Sequence, residues 1–385
     1  MKQLTAIYNA NLVLQTGVIP DAILLLQGDT IAAFGQAGSL DIPDQAKMID
    51  AQGAYVGPGF VDIHAHGGNG FNTCFQPKEA AAFFLRHGVT TLLATPAYSF
   101  DFEKFLSAIR SVKKDIENIP NMRGMYMEGP YTNPNYGANS HINPWRGPIQ
   151  QTQYEALVDE AGDLAIVWAI APERDGLTPF LEYARKVNPQ VRFAVGHSEA
   201  TPAQIRNLGQ YAPTLHTHIT NATGRLPVPD GTRGVGPDEH CYMTPEIYAE
   251  MISDSCGIHV QPDLQKMVLH IKGADRVILI SDSTTLNNPN PPQLAHVTDL
   301  NFDSNGGLAG SKLTMDQAFQ NVIAATGCSV TQAFLMASTN PANALGFEDI
   351  GSIAVGKRAD LVFLDLQYQL QKVMLHGELC EFDQE

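Results

Sequence analysis

The chain contains the run Pro58-Gly59-Phe60-Val61-Asp62-Ile63-His64-Ala65-His66, an apolar segment that ends in two histidines. Because residues i and i+2 of an extended strand point to the same side, His64 and His66 project together from the strand end. Two converging imidazoles form half of a site for a divalent transition metal. The pattern also fits two histidines of an ordinary loop, so residues elsewhere in the chain must distinguish the two interpretations.

Seven further short apolar runs follow, and amphipathic helical stretches separate most of them. The eight runs are residues 59–66, 90–96, 123–130, 164–173, 191–198, 214–222, 256–261 and 276–283. The helical stretches are residues 77–88, 102–116, 152–162, 177–187, 201–209, 244–252 and 262–273, with two more at 314–327 and 330–346. This alternation predicts an α/β fold, a (β/α)8 TIM-type barrel. An open, doubly wound sheet is the alternative, although no glycine-rich dinucleotide turn follows the early strands.

Both ends of the chain have strand-like sequences that differ in character from the middle. Short alternating runs separated by turn signals such as Gln27-Gly28-Asp29 fill the first part, and Gly356-Lys357 marks a turn near the other end. We therefore predict a small β-sandwich domain built from residues 1–56 and 352–385. The barrel is expected to occupy residues 57–351, since chain ends often lie close together.

Composition argues against several classes of function. Of the 385 residues, 44% are hydrophobic and 17% charged, and the net charge of −16 disfavours non-specific binding to nucleic acid or to an anionic membrane. No apolar run reaches membrane-spanning length, and the first residues lack the pattern of a signal peptide. The five scattered cysteines form no paired motif, which is typical of a reduced, cytoplasmic protein.

Six of the eight runs end in a residue capable of metal or proton chemistry. These residues are His64 with His66, Glu128, His197, His218, His259 and Asp282. In a barrel, the C-terminal strand ends form one rim, so these side chains would converge. Burying each of these polar groups without a partner would cost on the order of several kcal/mol, and a bound metal would supply the partner. The combination therefore predicts a metal centre at the rim.

On these residues the chain resembles the N-acetylglucosamine-6-phosphate deacetylase family, within the metal-dependent amidohydrolases. The similar segments are residues 58–70, 127–131, 195–201, 218–225, 257–260, 280–284, 308–315 and 356–365. They follow the family order over nearly the whole chain. The resemblance implies metal-dependent hydrolysis of the acetamide of N-acetylglucosamine 6-phosphate, a small amino-sugar substrate, and assembly as a homodimer.

The resemblance also implies roles for individual residues. Glu128, His197 and His218 would hold the principal metal, and His64 with His66 would allow a second ion beside it. One or two divalent ions, Zn²⁺ or Fe²⁺, are therefore expected. Asp282 would take a proton from the attacking water and deliver it to the departing amine. A helix N-cap is the alternative role for Asp282.

Substrate contacts are implied for a further group of residues. They are Ala138, Asn139, Asn221, Ala222, Arg225, His259, Leu308, Ala309 and Gly310. Arg225 would bind the phosphate, since its donors form a bidentate fork, although a solvated loop arginine is the alternative. His259 would stabilise the oxyanion or bind the sugar or its phosphate.

The sequence departs from the family pattern where the sugar would be recognised. Asn139 stands where the family carries a histidine, and His141 follows two residues later. The stretch before Gly224 is shortened, and the loop after it adds several charged residues. An unphosphorylated or epimeric N-acetylhexosamine therefore stays open as the substrate, as does another N-acyl or cyclic amide. A non-catalytic metal-binding barrel is the remaining alternative.

Overall fold

Two large sheets organise the chain in the computed structural model, which describes residues 3–224 and 234–382. The strands are β1 (Leu4–Leu14), β2 (Gly17–Gln27), β3 (Thr30–Gln36), β4 (Lys47–Asp50), β5 (Tyr55–Pro58), β6 (Phe60–Ala65), β7 (Gly67–Gly68), β8 (Phe71–Asn72), β9 (Val89–Ala94), β10 (Met122–Met127), β11 (Ala165–Ile170), β12 (Arg192–Val195), β13 (Leu215–His216), β14 (Tyr248–Met251), β15 (Val277–Leu279), β16 (Leu300–Phe302), β17 (Leu308–Ser311), β18 (Leu361–Leu364), β19 (Leu370–Leu375) and β20 (Glu378–Leu379). The helices are α1 (Pro77–Arg86), α2 (Phe102–Asp115), α3 (Gln151–Ala161), α4 (Leu177–Val187), α5 (Pro202–Arg206), α6 (Pro237–Met243), α7 (Pro262–Lys272), α8 (Met315–Thr326), α9 (Val330–Phe334) and α10 (Asn340–Leu345).

The central sheet is a barrel of eight parallel strands, which confirms the predicted α/β architecture. Its order is β6-β9-β10-β11-β12-β13-β14-β15. Backbone hydrogen bonds join the last strand to the first beyond their ends, where Asp282 N donates to His64 O at 2.9 Å and His66 N donates to Ser283 O at 2.8 Å. Because the circle closes in this way, the C-terminal strand ends share one rim, and the open-sheet alternative is wrong.

Amphipathic helices cover the outside of the barrel. In α2 the side chain of Asp101 caps the first turn by accepting from Lys104 N at 2.9 Å. The buried residues of this helix recur at helical spacing, with Phe105, Ile109 and Val112 on one face. Within residues 3–224 and 234–382, every helix is too short or too polar to cross a lipid bilayer.

The second sheet is built from both ends of the chain, as predicted. Its order is β20-β19-β18-β5-β1-β2-β3, with β4 paired to β1. The sheet encloses an apolar core of its own, which includes Leu24, Val56 and Phe363 and is separate from the barrel core. Only Gly59 separates β5 from β6, so the terminal sheet runs directly into the first barrel strand. The boundaries at residues 57 and 351 stay a prediction.

The seventh strand lies elsewhere than predicted. Residues 256–261 form a loop, and the strand is β14, inside the stretch 244–252 that was predicted to be helical. Asp254 accepts backbone N–H groups from three following residues, at 3.1, 2.9 and 2.8 Å, which folds the segment into a turn that no strand can adopt. The buried Glu250 of β14 imitates the polar face of an amphipathic helix, and this explains the error.

Candidate active site

Four buried imidazoles converge on one carboxylate at the rim of the barrel. Glu128 Oε1 lies 2.9 Å from His197 Nε2 and 3.2 Å from His218 Nε2. The other half of the cluster places His64 Nε2 at 3.4 Å from Oε1 and His66 Nε2 at 3.2 Å from Oε2. The residues therefore form two possible metal-binding groups, His64–His66–Glu128 and Glu128–His197–His218, which share Glu128.

The Nδ1 atoms of the same four histidines face oxygen atoms outside the cluster. The pairs are His66 with Thr95 O (3.1 Å), His197 with Tyr136 O (3.3 Å), His218 with Asn221 O (3.1 Å) and His64 with Glu250 Oε2 (3.3 Å). A carbonyl or carboxylate can only accept, so each Nδ1 carries the proton and donates. A neutral imidazole held in this way directs its Nε2 lone pair toward the centre, which is the arrangement found in metal-ligating histidines.

The electrostatics of the cluster favour positive charge at its centre. Burial would raise the pKa of Glu128, but the charges of His197 and His66 hold it well below its usual range. Burial would lower the pKa of His66, yet the Glu128 carboxylate and the hydrogen bond to Asp282 raise it to about 9. A group of carboxylates that draws protons onto neighbouring imidazoles also attracts a cation.

Two histidines of the cluster and Asp282 have a left-handed backbone that non-glycine residues rarely adopt. His197 has a φ of 46°, His218 of 28° and Asp282 of 45°, and each follows the end of its strand. This conformation costs about 1–2 kcal/mol per residue, and it is concentrated where function requires a special geometry. Here it turns the side chains away from the strand direction and toward the centre of the rim.

Asp282 lies beside the two histidines of the first barrel strand, His64 and His66. Its Oδ1 atom is 3.4 Å from His66 Nε2 and 3.8 Å from His64 Nε2. Burial would raise the pKa of Asp282, but the hydrogen bond to His66 and the charge of His64 lower it below its usual value. The side chain is therefore ionised at neutral pH and able to accept a proton.

A cavity of about 440 Å³ opens above the cluster and contains the predicted substrate contacts that fall within the described residues. Those lining residues are Ala138, Asn139, Asn221, Ala222, His259, Leu308, Ala309 and Gly310. Arg225 lies outside the described residues. His259 is oriented at both ring nitrogens, with Nδ1 3.0 Å from Asp254 Oδ2 and Nε2 3.2 Å from Gly310 O. Although His259 does not end a strand, its loop still brings it to the cavity.

The two candidates for the missing family histidine differ clearly in position. Asn139 lines the cavity, and its backbone N donates to Asp303 Oδ2 at 3.1 Å. His141 is exposed in the following 3-10 turn and is not among the residues that line the cavity. The shorter, uncharged Asn139 therefore takes the place at the wall.

Three functional candidates were missed by the sequence analysis. Tyr98 lines the cavity, donates from its hydroxyl to Ala138 O, and lies 4.7 Å from the His197 ring between centroids. Asp303 lines the cavity wall beside Asn139, and Glu250 lies beneath His64. Asp303 and Tyr98 lie in loops without a recognisable motif, whereas Glu250 was hidden by the wrong helix prediction.

Comparisons with known proteins agree with this geometry. A model of the amidohydrolase family matches residues 55–382 of the chain. The N-acetylgalactosamine-6-phosphate deacetylase of Escherichia coli O157:H7 is 28% identical, with 96% of this chain and 98% of that protein covered. The N-acetylglucosamine-6-phosphate deacetylase of Vibrio furnissii is also 28% identical, with 84% of this chain and 82% of that protein covered.

Solved structures show the same architecture. The N-acetyl-D-glucosamine-6-phosphate deacetylase of Mycobacterium smegmatis, solved as a mutant in complex with N-acetyl-D-glucosamine-6-phosphate, has a TM-score of 0.82 to this chain. Its sequence is 26% identical, and the match covers 98% of this chain and 99% of that one. The enzyme from Pasteurella multocida has a TM-score of 0.84 at 24% identity, with 98% and 99% covered.

Proposed function

We propose, from the premise that this chain belongs to the amidohydrolase family, that it hydrolyses the acetamide of N-acetylglucosamine 6-phosphate to acetate and glucosamine 6-phosphate. The observation that carries the proposal is the convergence of four imidazole Nε2 atoms on Glu128, with an ionised Asp282 beside them. The relatives named above act on phosphorylated N-acetylhexosamines, which supports the choice of substrate. The reaction would serve the breakdown of amino sugars.

The residues of the cluster fit a divalent metal. His197 Nε2 and His218 Nε2 lie 3.1 Å apart, so two neutral rings would turn their lone pairs toward each other, and His64 Nε2 is buried without a hydrogen-bond partner. Both features are unfavourable unless a cation accepts the lone pairs. Glu128, His197 and His218 would hold the principal ion, and His64 with His66 and Glu128 a second one. Mixed imidazole and carboxylate ligands suit Zn²⁺ or Fe²⁺.

Such an ion, when bound, supplies Lewis-acid chemistry and lowers the pKa of water. Asp282 accepts the proton that the attacking water loses as its oxygen bonds to the acetyl carbon. The same proton then passes from Asp282 to the amide nitrogen, because an unprotonated amine is a poor leaving group. The C–N bond breaks, acetic acid and the free amine form, and Asp282 returns to the carboxylate.

The remaining predicted residues would hold the sugar. Asn221 contacts His218 through its carbonyl oxygen, and Ala222 and residues 308–310 also line the cavity. His259 is held by Asp254 and would donate to the developing oxyanion or to a sugar oxygen. Ala138 and Asn139 would also contact the sugar, and Arg225 would bind the phosphate.

A specific observation favours an unphosphorylated N-acetylhexosamine as the second candidate. Among the described residues, no lysine or arginine lines the cavity, whereas Asp303 contributes a carboxylate to its wall. The pKa of Asp303 is lowered, because backbone N–H groups of Gly307 and Asn139 outweigh the effect of burial, so the side chain is anionic. Such a wall repels a phosphate unless Arg225 compensates. The galactosamine epimer is also open, since one relative acts on it.

Acetate release from three sugars would test the proposal. N-acetylglucosamine 6-phosphate, its galactosamine epimer and unphosphorylated N-acetylglucosamine are compared at matched concentrations, before and after chelation and with Zn²⁺ or Fe²⁺ restored. We expect metal-dependent release with the highest kcat/KM for the first sugar. A strong preference for the unphosphorylated sugar would contradict that choice, and release unaffected by chelation would contradict the metal role.

We also propose that the protein acts as a homodimer in the cytoplasm. The family resemblance supports the dimer, and five cysteines that form no disulfide support a reducing compartment. Light scattering after size-exclusion chromatography measures the oligomeric state, and a monomer at micromolar concentration would contradict the proposed dimer.

A further inference from the structure

Within residues 3–224 and 234–382, Glu250 is the one buried carboxylate that contacts the Nδ1 atom of a cluster histidine. It lies in the middle of β14 with no exposed surface. Its Oε2 atom is 3.3 Å from His64 Nδ1, and its Oε1 atom has no hydrogen-bond partner. The Tyr126 hydroxyl also interacts with this carboxylate. A carboxylate buried in this way is costly, so its contact with His64 calls for an explanation beyond packing.

The surroundings of His64 set it apart from the other three histidines. His66, His197 and His218 donate their Nδ1 protons to backbone carbonyls, whereas His64 alone donates to a carboxylate. The ring of Tyr126 stacks on His64 with centroids 4.5 Å apart, and the Tyr126 hydroxyl is tied to Thr217 Oγ1 at 2.7 Å. The imidazole is therefore fixed in plane by Tyr126 and in rotation by Glu250.

We propose that Glu250 is the positioning residue of the second metal ion, acting through His64. A carboxylate at Nδ1 fixes the tautomer that leaves Nε2 free to bind a metal, and it makes that nitrogen a stronger donor. The His64–His66 pair then holds its ion, while the Glu128–His197–His218 group is supported by backbone carbonyls and does not depend on Glu250. The inference rests on the proposed function only in assuming that two ions bind. The proposed mechanism gives Glu250 no contact with the substrate or with the attacking water.

Counting metal ions tests the inference without measuring activity. The wild type, Glu250→Gln and Glu250→Leu are loaded with Zn²⁺ or Co²⁺, freed of unbound metal and analysed for metal per subunit. We expect two ions in the wild type and one in Glu250→Leu. Glu250→Gln keeps an acceptor for His64 Nδ1 without the charge, so the affinity for the second ion should fall by about 10–100-fold. The Co²⁺ absorption spectrum should lose the contribution of one site.

Asp254→Asn is the matched control. It removes a buried carboxylate from the loop after the same strand, and its partner, His259, belongs to neither metal-binding group. This variant should keep both ions, and the unfolding midpoint of each metal-free variant would show that it is folded. If Glu250→Leu fails to fold, Glu250→Gln carries the test.

Several outcomes would overturn the inference. They are two ions bound to Glu250→Gln and Glu250→Leu with wild-type affinity, loss of both ions from a folded variant, and a single ion in the wild type. The proposed function fails separately, by an absence of acetate release from a wild type that holds its metal.

Discussion

The two halves of the histidine cluster differ in how the backbone holds them. His64 and Ala65 belong to the regular strand β6, and His66 is the next residue, where the chain bends, so the end of the strand brings this pair together. His197 and His218 instead follow the ends of their strands and have positive φ. Their Nδ1 atoms donate to carbonyl oxygens of the loop residues Tyr136 and Asn221. The His64–His66 pair, the strand half, is thus positioned by a regular strand, whereas His197 and His218, the loop half, depend on a strained backbone, which is typical of functional sites.

The largest expected effect comes from Glu128, because both halves share it. Glu128→Gln keeps the size of the side chain but removes the charge that draws a cation to either group. We expect loss of both metal ions and a fall in kcat/KM of about 10⁴-fold, since a catalytic metal contributes several kcal/mol. Metal analysis together with steady-state kinetics checks this, and retention of one ion would show that the halves are independent.

Asp282→Asn should separate chemistry from metal binding. The amide keeps the shape of the side chain, but it cannot accept the proton that water loses. We expect kcat to fall by about 10³-fold, within the range typical of general acid–base catalysis, with the metal content unchanged. A variant with near wild-type turnover would refute the proton-transfer role, and one without metal would make Asp282 a ligand instead.

Substituting one histidine in each half tests whether the two metal ions contribute unequally to the reaction. His197→Asn should lose the principal ion and about 10³-fold in kcat/KM, because several kcal/mol of transition-state stabilisation go with it. His64→Asn should lose only the second ion and keep activity within about 10–100-fold of the wild type. Equal losses in the two variants would mean that both ions take part equally in the reaction.

The smallest expected effects come from glycine substitutions that probe the backbone alone. Ala222 has a φ of 52° in the loop half, whereas Ala65 lies in the strand half. Ala222→Gly should raise the free energy of unfolding by about 0.5 kcal/mol, since relief of left-handed strain exceeds the entropic cost of glycine. Ala65→Gly should lower it by about 1 kcal/mol. Urea unfolding of the metal-free proteins measures both, and changes of the same sign would contradict the comparison.

The sequence predicted the strand half of the site better than the loop half. The i and i+2 spacing of His64 and His66 follows from strand geometry, and strand–helix alternation predicted the barrel that carries them. The convergence of Glu128, His197 and His218 was correct as well, because parallel strands end at a single rim. No periodicity, however, indicated the positive φ values that aim the two loop histidines.

The seventh strand was predicted wrongly because its sequence pattern does not show its tertiary surroundings. A polar residue inside a barrel is rare, so Glu250 between Ala249 and Met251 gave β14 the pattern of a helix. The role of such a residue becomes visible only when the strand is closed against β6, because His64 is distant from it in the chain. Asp303 and Tyr98 were missed for a related reason, since irregular loops bring them to the cavity.

The short link at Gly59 has a consequence for how the protein is assembled in time. Strand β5 leads through Gly59 into β6, and its longest pairing is with β18, where Pro58 lies opposite Leu361. Gly59 N also donates to Asp360 O at 2.8 Å. During synthesis β5, which leads into the histidine-bearing strand, therefore lacks β18 until all the barrel strands have been made. The strand that precedes the first barrel strand thus gains its longest pairing only after the barrel strands are made, and such long-range pairing makes for slow folding.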